Sequence, residues 1–300
     1  MKILVTGSAG GIGQWVVKRL LEAGHSLRAM DVSGQPASPD YEYVSGDIRD
    51  LGQVRRAVHG MEAVVHLAAI PGDWGQNGDV VLDTNIHGTW NVLQAAHEAQ
   101  AQRVVSFSSI NALGQGEKSH AGLYLPLDDR IPHHTIQNYY LSKHIGEEMC
   151  WAFASRGAFS AVSLRPTLVM SPGPSRFGWW EQLPEEFKLQ GHISDFWSYV
   201  DVRDVAEAVL LSLTAKIDVH QAFLLTADDN RTHTPSAQIV EKYYPQLSWP
   251  NVSKADYLAR GEFISLVDCS AAKTVLGWQP KYSMFDPTAG YEHVRVVPSV

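Results

Sequence analysis

The sequence predicts an α/β chain built on one doubly wound parallel sheet. Three observations carry this: strand-length apolar runs alternate with helical patterns from Lys2 to about Val105, a glycine-rich turn follows the first run, and a carboxylate closes the second. Strands that alternate with helices run parallel, because each crossover returns the chain to the same edge of the sheet. Ligands of such a sheet gather at the carboxyl ends of its strands, so the residues to weigh are those that follow each strand.

The first strand, residues 3–5, runs into a turn holding Gly7, Gly10, Gly11 and Gly13, and then into the helical pattern Ile12, Trp15, Val16, Arg19, Leu20. A pyrophosphate can rest on a helix N-terminus only where no Cβ blocks the amide groups, and glycine supplies that clearance. Gly7, Gly10, Gly11, Ile12 and Gly13 are therefore cofactor-side candidates. Glycines in a turn also simply serve the turn. Asp31, at the end of the second strand (27–30), favours the dinucleotide reading, since such a unit needs a carboxylate about 20 residues further on to accept from the adenine ribose hydroxyls. The same carboxylate repels a 2′-phosphate, and Val32 and Ser33 bring no cation, so the expected cofactor is NAD.

The third strand (41–44) is followed by Asp47 and Ile48. Asp47 suits the adenine amino group and Ile48 the ring face; Asp47 equally suits the N-cap of a helix beginning near Leu51. After the fourth strand (63–66) stand Leu67, Ala68 and Ala69, small enough in part to let the backbone run along a cofactor ribose or to serve helix packing. A helix over 83–99 carries Asn85 near its start, as a cap or as a cofactor-side amide. The fifth strand (104–107) ends in Ser108 and Ser109, and Tyr139 and Lys143 follow about thirty residues later on a helical pattern. At i and i+4 they share a face, where the ammonium can favour the ionised phenol. That is proton-transfer machinery, and it coincides with the glycine turn, the ribose carboxylate and a strand-end serine.

These motifs resemble those of the extended short-chain dehydrogenases/reductases, the NAD-dependent epimerase/dehydratase family. The matching residues are TGSAGGIG (6–13), Asp31, GDIRD (46–50), HLAA (66–69), NIHGTWNVLQAA (85–96), Ser108 and Ser109, YYLSK (139–143) with GE (146–147), LRP (164–166), DVRDVAEA (201–208) and LGWQP (276–280), and they span nearly the whole chain. The resemblance implies a Rossmann-like dinucleotide-binding domain, residues 1–167, and a mainly substrate-binding α/β region, residues 168–300, part of which returns to the first. It implies Tyr139 as acid/base, Lys143 on the phenol and the nicotinamide ribose, Ser109 on the substrate oxygen, Ser108 cofactor-side, and Pro166 closing over the nicotinamide. It also implies a homodimer packed through the helices near Asn85 and Tyr139.

Two departures bear on the substrate. Leu168 and Trp197 stand where nucleotide-sugar binders of the family place an asparagine and a diphosphate-binding arginine, with Arg176 and Arg203 as the candidate replacements. Ile110 and Asn111 replace the Asp-Glu pair of the dehydratases. The expected reaction is hydride transfer between NAD and a secondary alcohol or ketone of a small sugar, sugar acid or similar polyol, with an NAD-retaining epimerase as the alternative and a non-catalytic cofactor sensor as a third. Ser109, Asn111 and Arg176 are the expected polar substrate contacts, and Phe177, Trp180 and Trp197, from an aromatic-rich stretch, the expected stacking surfaces.

Composition closes off other classes. A net charge of −8 disfavours nucleic acid, two cysteines support neither a disulfide framework nor a thiolate metal site, and no HExxH pair accompanies the thirteen histidines. No apolar run approaches the roughly 18 residues of a membrane span, and the reading is a cytoplasmic protein without a resident metal.

Overall fold

A computed structural model of the chain describes residues 1–34, 40–72, 77–114, 123–173, 196–232 and 234–291. Seven parallel strands form the main sheet in the order β3-β2-β1-β4-β5-β6-β9. They are β1 (Lys2–Thr6), β2 (Ser26–Asp31), β3 (Glu42–Ser45), β4 (Ala63–His66), β5 (Arg103–Phe107), β6 (Ser160–Pro166) and β9 (His220–Leu225). Two short strands, β7 (Leu168–Met170) and β8 (Tyr199–Asp201), pair separately.

The period of two along each strand sorts its side chains between two cores. Ile3, Val5, Ala63, Val65, Val105, Phe107, Val162 and Leu164 face one side, where helix α1 (Gly13–Glu22) and helix α6 (Val202–Thr214) cover them. The alternate residues Leu4, Val64, Val104 and Ala161 face the other, under α2 (Leu51–Val58), α4 (Gly88–Glu98) and α5 (Asn138–Ser155). Strands buried on both faces need near-continuous apolar sequence, which is why the inner strands were legible as plain runs.

The helix expected over 83–99 begins earlier. Helix α3 (Gly78–Leu82), a π turn (Asp83–His87) and α4 follow one another without a break, so Asn85 lies inside the helical run and does not cap it. The N-cap of α2 is Asp50, whose carboxylate accepts from the Gln53 amide at 3.0 Å, and not Asp47.

A third core joins residues from both sides of position 167: Ile110, Leu113, Leu125, Leu127 and Ile131 pack with Phe196, Trp197, Leu224, Ile239, Val240, Tyr244, Leu266 and Val267. It includes residues of α7 (Ser236–Tyr243) and the segment after α8 (Lys254–Leu258). Meanwhile β9 pairs with β6 and α6 packs on α1, so residues 202–225 complete the main sheet and its cover. Among the described residues no helix is long and apolar enough to cross a membrane.

Candidate active site

The register brings the functional strand ends side by side: Thr6 opposes Met30 and His66, His66 opposes Ser106, and Phe107 opposes Leu164. The glycine turn leaves β1 at Gly7, whose φ is +72°, with its amide donating to Met30 O at 2.9 Å. A Cβ on Gly7 would lie 2.5 Å from the Ala68 nitrogen, and one on Gly13 would lie 2.1 Å from Gly7 O. Both contacts are with backbone, so the turn closes only with glycine at these positions. This places Ala68 against the turn, with Leu67 and Ala69 beside it and all three half-buried, while Gly10, Gly11 and Ile12 lead into α1.

Asp31 faces the same turn. Its Oδ2 accepts from the Ala9 amide at 3.0 Å, and its Oδ1 accepts from the Ser33 amide and hydroxyl at 2.9 and 2.8 Å. The cradle thus combines backbone clearance, a helix N-terminus and a carboxylate with no cation beside it among the described residues, which fits an adenine ribose bearing free hydroxyls. After the neighbouring strand end, the Arg49 guanidinium binds both oxygens of Asp47 and holds that carboxyl below the usual carboxylate range. Ile48 is buried against Gly88, and the Asn91 amide fixes the turn by donating to Ile48 O and Arg49 O at 2.9 and 3.0 Å.

His66 is buried between two threonines. Thr89 Oγ1 donates to Asn85 O and so accepts from His66 Nε2, at 3.0 Å, which leaves Nδ1 to accept from Thr6 Oγ1 at 2.8 Å. Burial holds the ring neutral, with its pKa lowered to about 3. Asn85 is a cross-link: its side chain accepts from Ile70 N at 2.8 Å and donates to Ile70 O and to Ser142 Oγ, both at 3.0 Å. Ser142 in turn donates to Tyr139 O at 2.7 Å. Asn85 therefore ties the segment after β4 to the first turn of α5, a role that the sequence alone does not separate from a cofactor contact.

Ser109, Tyr139 and Lys143 come together at the start of α5. A hydrogen bond joins Ser109 to the half-buried Tyr139 and favours its ionised form, yet burial outweighs it and pushes the phenol up to about 12. Ser109 Oγ also accepts from the Asn111 amide at 3.1 Å, at the head of the 3-10 turn Ile110–Leu113. Lys143 Nζ donates to Phe107 O at 2.8 Å and lies 5.7 Å from the centre of the Tyr139 ring. The expectation that this ammonium would hold the phenol below its ordinary range is not met, because burial dominates. Burial acts on both groups: it raises the phenol and lowers Lys143 to about 8, against which the Glu147 charge works upward.

Beneath them lies a network that the sequence reading left without a role. Glu147 Oε1 accepts from Ser108 Oγ and from Arg165 Nε at 2.8 Å, and Oε2 accepts from Arg165 Nη2 at 2.6 Å. Arg165 Nη1 also reaches Asp129 Oδ1 at 3.2 Å. Ser108 is thus engaged below the cleft. The local signal was present, a glutamate four residues after the lysine, although its partners lie 18 and 39 residues away in the chain. Pro166 is buried at the end of β6, opposite Leu225.

The substrate side departs from expectation at Trp197. It is fully buried, with ring centres 4.8 Å from Tyr243 and 5.9 Å from Tyr244, so it fills the third core and presents no face to a ligand. Arg203 does not replace the missing arginine. Its Nε and Nη2 bind Asp201 at 2.9 and 2.7 Å, Nη2 also binds Ala289 O at 2.8 Å, and the guanidinium stacks 3.6 Å from the Tyr282 ring centre. Arg176, Phe177 and Trp180 lie outside the described residues. Among the described residues no group of three or more His, Cys, Asp or Glu side chains is placed to hold a metal.

The glycine turn with the carboxylate that faces it, and the group Ser109, Tyr139 and Lys143, stand at the carboxyl ends of strands of one parallel sheet, the arrangement of a Rossmann-type dinucleotide-binding fold. Residues 3–224 match the NAD dependent epimerase/dehydratase family, and the chain belongs to it. The resemblance to the extended short-chain dehydrogenases/reductases read from the sequence motifs is thereby borne out. It is similar to a uronate dehydrogenase of Pseudomonas syringae pv. tomato, 30% identical over 166 residues that make up 55% of this chain and 58% of that one. It is similar also to cinnamoyl-CoA reductase 2 of Medicago truncatula, 26% identical over 83% of this chain and 78% of that one. The match to the uronate dehydrogenase spans little more than half of that protein's length. In fold it resembles UDP-glucose 4-epimerase of Thermotoga maritima in a structure with UDP-glucose, with a TM-score of 0.70, 24% identity and 95% of each chain covered.

Proposed function

We propose that the chain transfers a hydride between NAD and a secondary alcohol or ketone of a small sugar, sugar acid or similar polyol, with Tyr139 as the acid/base. The observation that carries this is the hydrogen-bonded pair Ser109 and Tyr139 beside Lys143, following the carboxyl end of β5 in the same parallel sheet whose β1 leads into the glycine cradle. NAD, when bound, supplies the hydride acceptor or donor. The protein's own groups do the rest: Ser109 and Asn111 orient the substrate oxygen, and Tyr139 moves the proton at that oxygen. Lys143 places a positive charge beside the phenol and offers its ammonium to ribose hydroxyls. Asp31 is the partner of the adenine ribose, and Gly7 to Gly13 clear the space for the pyrophosphate.

Two observations favour a compact substrate over a nucleotide sugar. Trp197 supplies no cation at the position where the family's nucleotide-sugar binders carry one, and Arg203 is committed to Asp201 and Ala289. A diphosphate buried without a cation forgoes charge-assisted hydrogen bonds worth about 1.5–3 kcal/mol each. The uronate dehydrogenase relative is consistent with a sugar acid. We propose further that the protein is a homodimer packed through α4 and α5, a contact that would cover Trp90 and Trp151, which are 40% and 55% exposed.

The test is stoichiometric NAD reduction across uronates, free sugars and aromatic alcohols, run beside calorimetry with UDP and UDP-sugars. Turnover with a uronate or free sugar, lost in Tyr139→Phe, is the expected result. Micromolar UDP binding, with interconversion of a UDP-sugar and no net NAD reduction, would replace this reading with that of an epimerase.

A further inference from the structure

We propose that Glu147 is a positioning residue for the reaction, setting the charge of Lys143 from one helical turn away while bracing the strand end that presents Ser109. The proposal rests on the reading of Lys143 and Tyr139 given above.

Glu147 is 4% exposed, and so is Arg165. A buried ion pair stabilises a fold little better than a well-packed apolar pair of the same volume, because desolvation of both charges offsets their attraction. Packing alone therefore gives no reason for a full carboxylate at this point. What it faces does. On its own helix stand Lys143, one turn toward the N-terminus, and Cys150. From β5 comes the Ser108 hydroxyl; from β6 comes Arg165, with Asp129 behind it; from the segment before α5 comes His133, whose Nε2 is 3.9 Å from Oε2; and from β9 comes His220. Burial leaves both histidines neutral, each lowered to about 4, and raises the Cys150 thiol to about 12. Asp129 is raised by burial to about 7, so it carries only part of a charge near neutrality. Among the described residues around it, Glu147 is thus the full anion standing with two cations, the buried Arg165 and the half-buried Lys143. Without it those two would share the space with Asp129 alone to oppose them, and Lys143, the one that can release its proton, would do so.

The second half of the role is geometric. Lys143 Nζ binds Phe107 O at 2.8 Å and Glu147 Oε1 binds the hydroxyl of Ser108, so two successive turns of α5 grip two successive residues of the strand end. Ser109 is the next residue. The carboxylate that sustains the ammonium also fixes the height at which the serine meets Tyr139.

The test is the dissociation constant of NAD for the full-length protein, measured by calorimetry from pH 5.5 to 9.5 for the native chain, Glu147→Gln, Glu147→Asp and Lys143→Met. The native affinity should hold through neutrality and fall once the pH passes about 8. In Glu147→Gln, whose amide still accepts from Ser108, the fall should begin about one to three pH units lower, the usual effect of removing a nearby opposite charge. It should therefore bind about tenfold more weakly at pH 7 and recover in acid. A purely structural defect would weaken binding by one factor at every pH, and that result, or an unmoved onset, overturns the proposal. Should Glu147→Gln not fold, Glu147→Asp decides: its carboxylate is drawn back by one methylene, and an onset that does not move downward overturns the proposal equally. Lys143→Met separates the two levels of the argument. If it binds NAD as the native protein does, with the same pH course, the reading of Lys143 itself fails.

Discussion

Keeping Lys143 charged inside the protein costs stability, and the size of that cost can be measured by replacing the side chain with methionine. The ordinary lysine value of 10.5 is lowered to about 8 by burial, and each pH unit of displacement corresponds to about 1.36 kcal/mol. The folded form therefore binds this proton on the order of 3 kcal/mol less tightly than the unfolded chain does. Below pH 8 both states hold the proton and the penalty is complete. Between pH 8 and 10.5 the unfolded chain keeps it while the folded chain releases it, so native stability rises with pH in that window. His66, which the Lys143 charge helps to push down, stays neutral through this window in both proteins, so its contribution cancels in the difference. Urea unfolding of both proteins at pH 7, 8, 9 and 10 should show the native chain gaining on the variant by about 1 kcal/mol per pH unit above 8, toward the full 3. The absolute gap at pH 7 is a poorer guide, because the variant also leaves Phe107 O without its donor. A difference that stays flat from pH 7 to 10 would refute the reasoning, since it would mean that Lys143 titrates alike in the folded and unfolded states.

Three further substitutions separate chemistry, cofactor choice and packing. Tyr139→Phe should lower turnover by about 10² to 10⁴ while calorimetry finds NAD binding nearly unchanged; undiminished turnover would remove Tyr139 from the reaction. Asp31→Ala should narrow the difference between the dissociation constants of NAD and NADP, and equal affinities already in the native protein would contradict the role given to this carboxylate. Trp197→Ala should cost about 3–5 kcal/mol in urea unfolding, as large-to-small changes in a packed core do, whereas a change in substrate affinity at unchanged stability would restore the ligand-stacking role that burial argues against.

The parts of this molecule that could be read from sequence are those whose constraint is local. Residues 3–5 and 63–65 lie in strands buried on both faces, where the sequence is near-continuously apolar; a turn as tight as Gly7 to Gly13 tolerates no Cβ at its crossing points. Tyr139 and Lys143 were readable because one helical turn links them. Trp197 was not, since a tryptophan in an aromatic-rich stretch has the same sequence whether its ring meets a ligand or, as here, Tyr243 and Tyr244. Asp47 and Asp50 compete for one cap in GDIRD, and only the backbone path shows that Asp50 takes it. Asn85 looked cofactor-side because its partners, Ile70 and Ser142, lie 15 and 57 residues away. The pKa of Tyr139 shows the same limit from another side: spacing places a charge beside the phenol, and the depth of burial that outweighs it is a property of the folded chain.

Helix α5 acts as a lever as well as a scaffold. Tyr139 stands near its N-terminal end and Glu147 two turns along, where Arg165 and Ser108 hold it, a span of about 12 Å at 1.5 Å per residue. A rocking of only about 5° around that anchor would carry the phenol through roughly 1 Å, and misplacement on that scale is enough to cost about a hundredfold in rate. The tip is therefore fastened a second time, through Ser142 and Asn85. Angular play is the tolerance that this site cannot give away, and a substitution that loosens either fastening should blunt catalysis while leaving every reacting group in place.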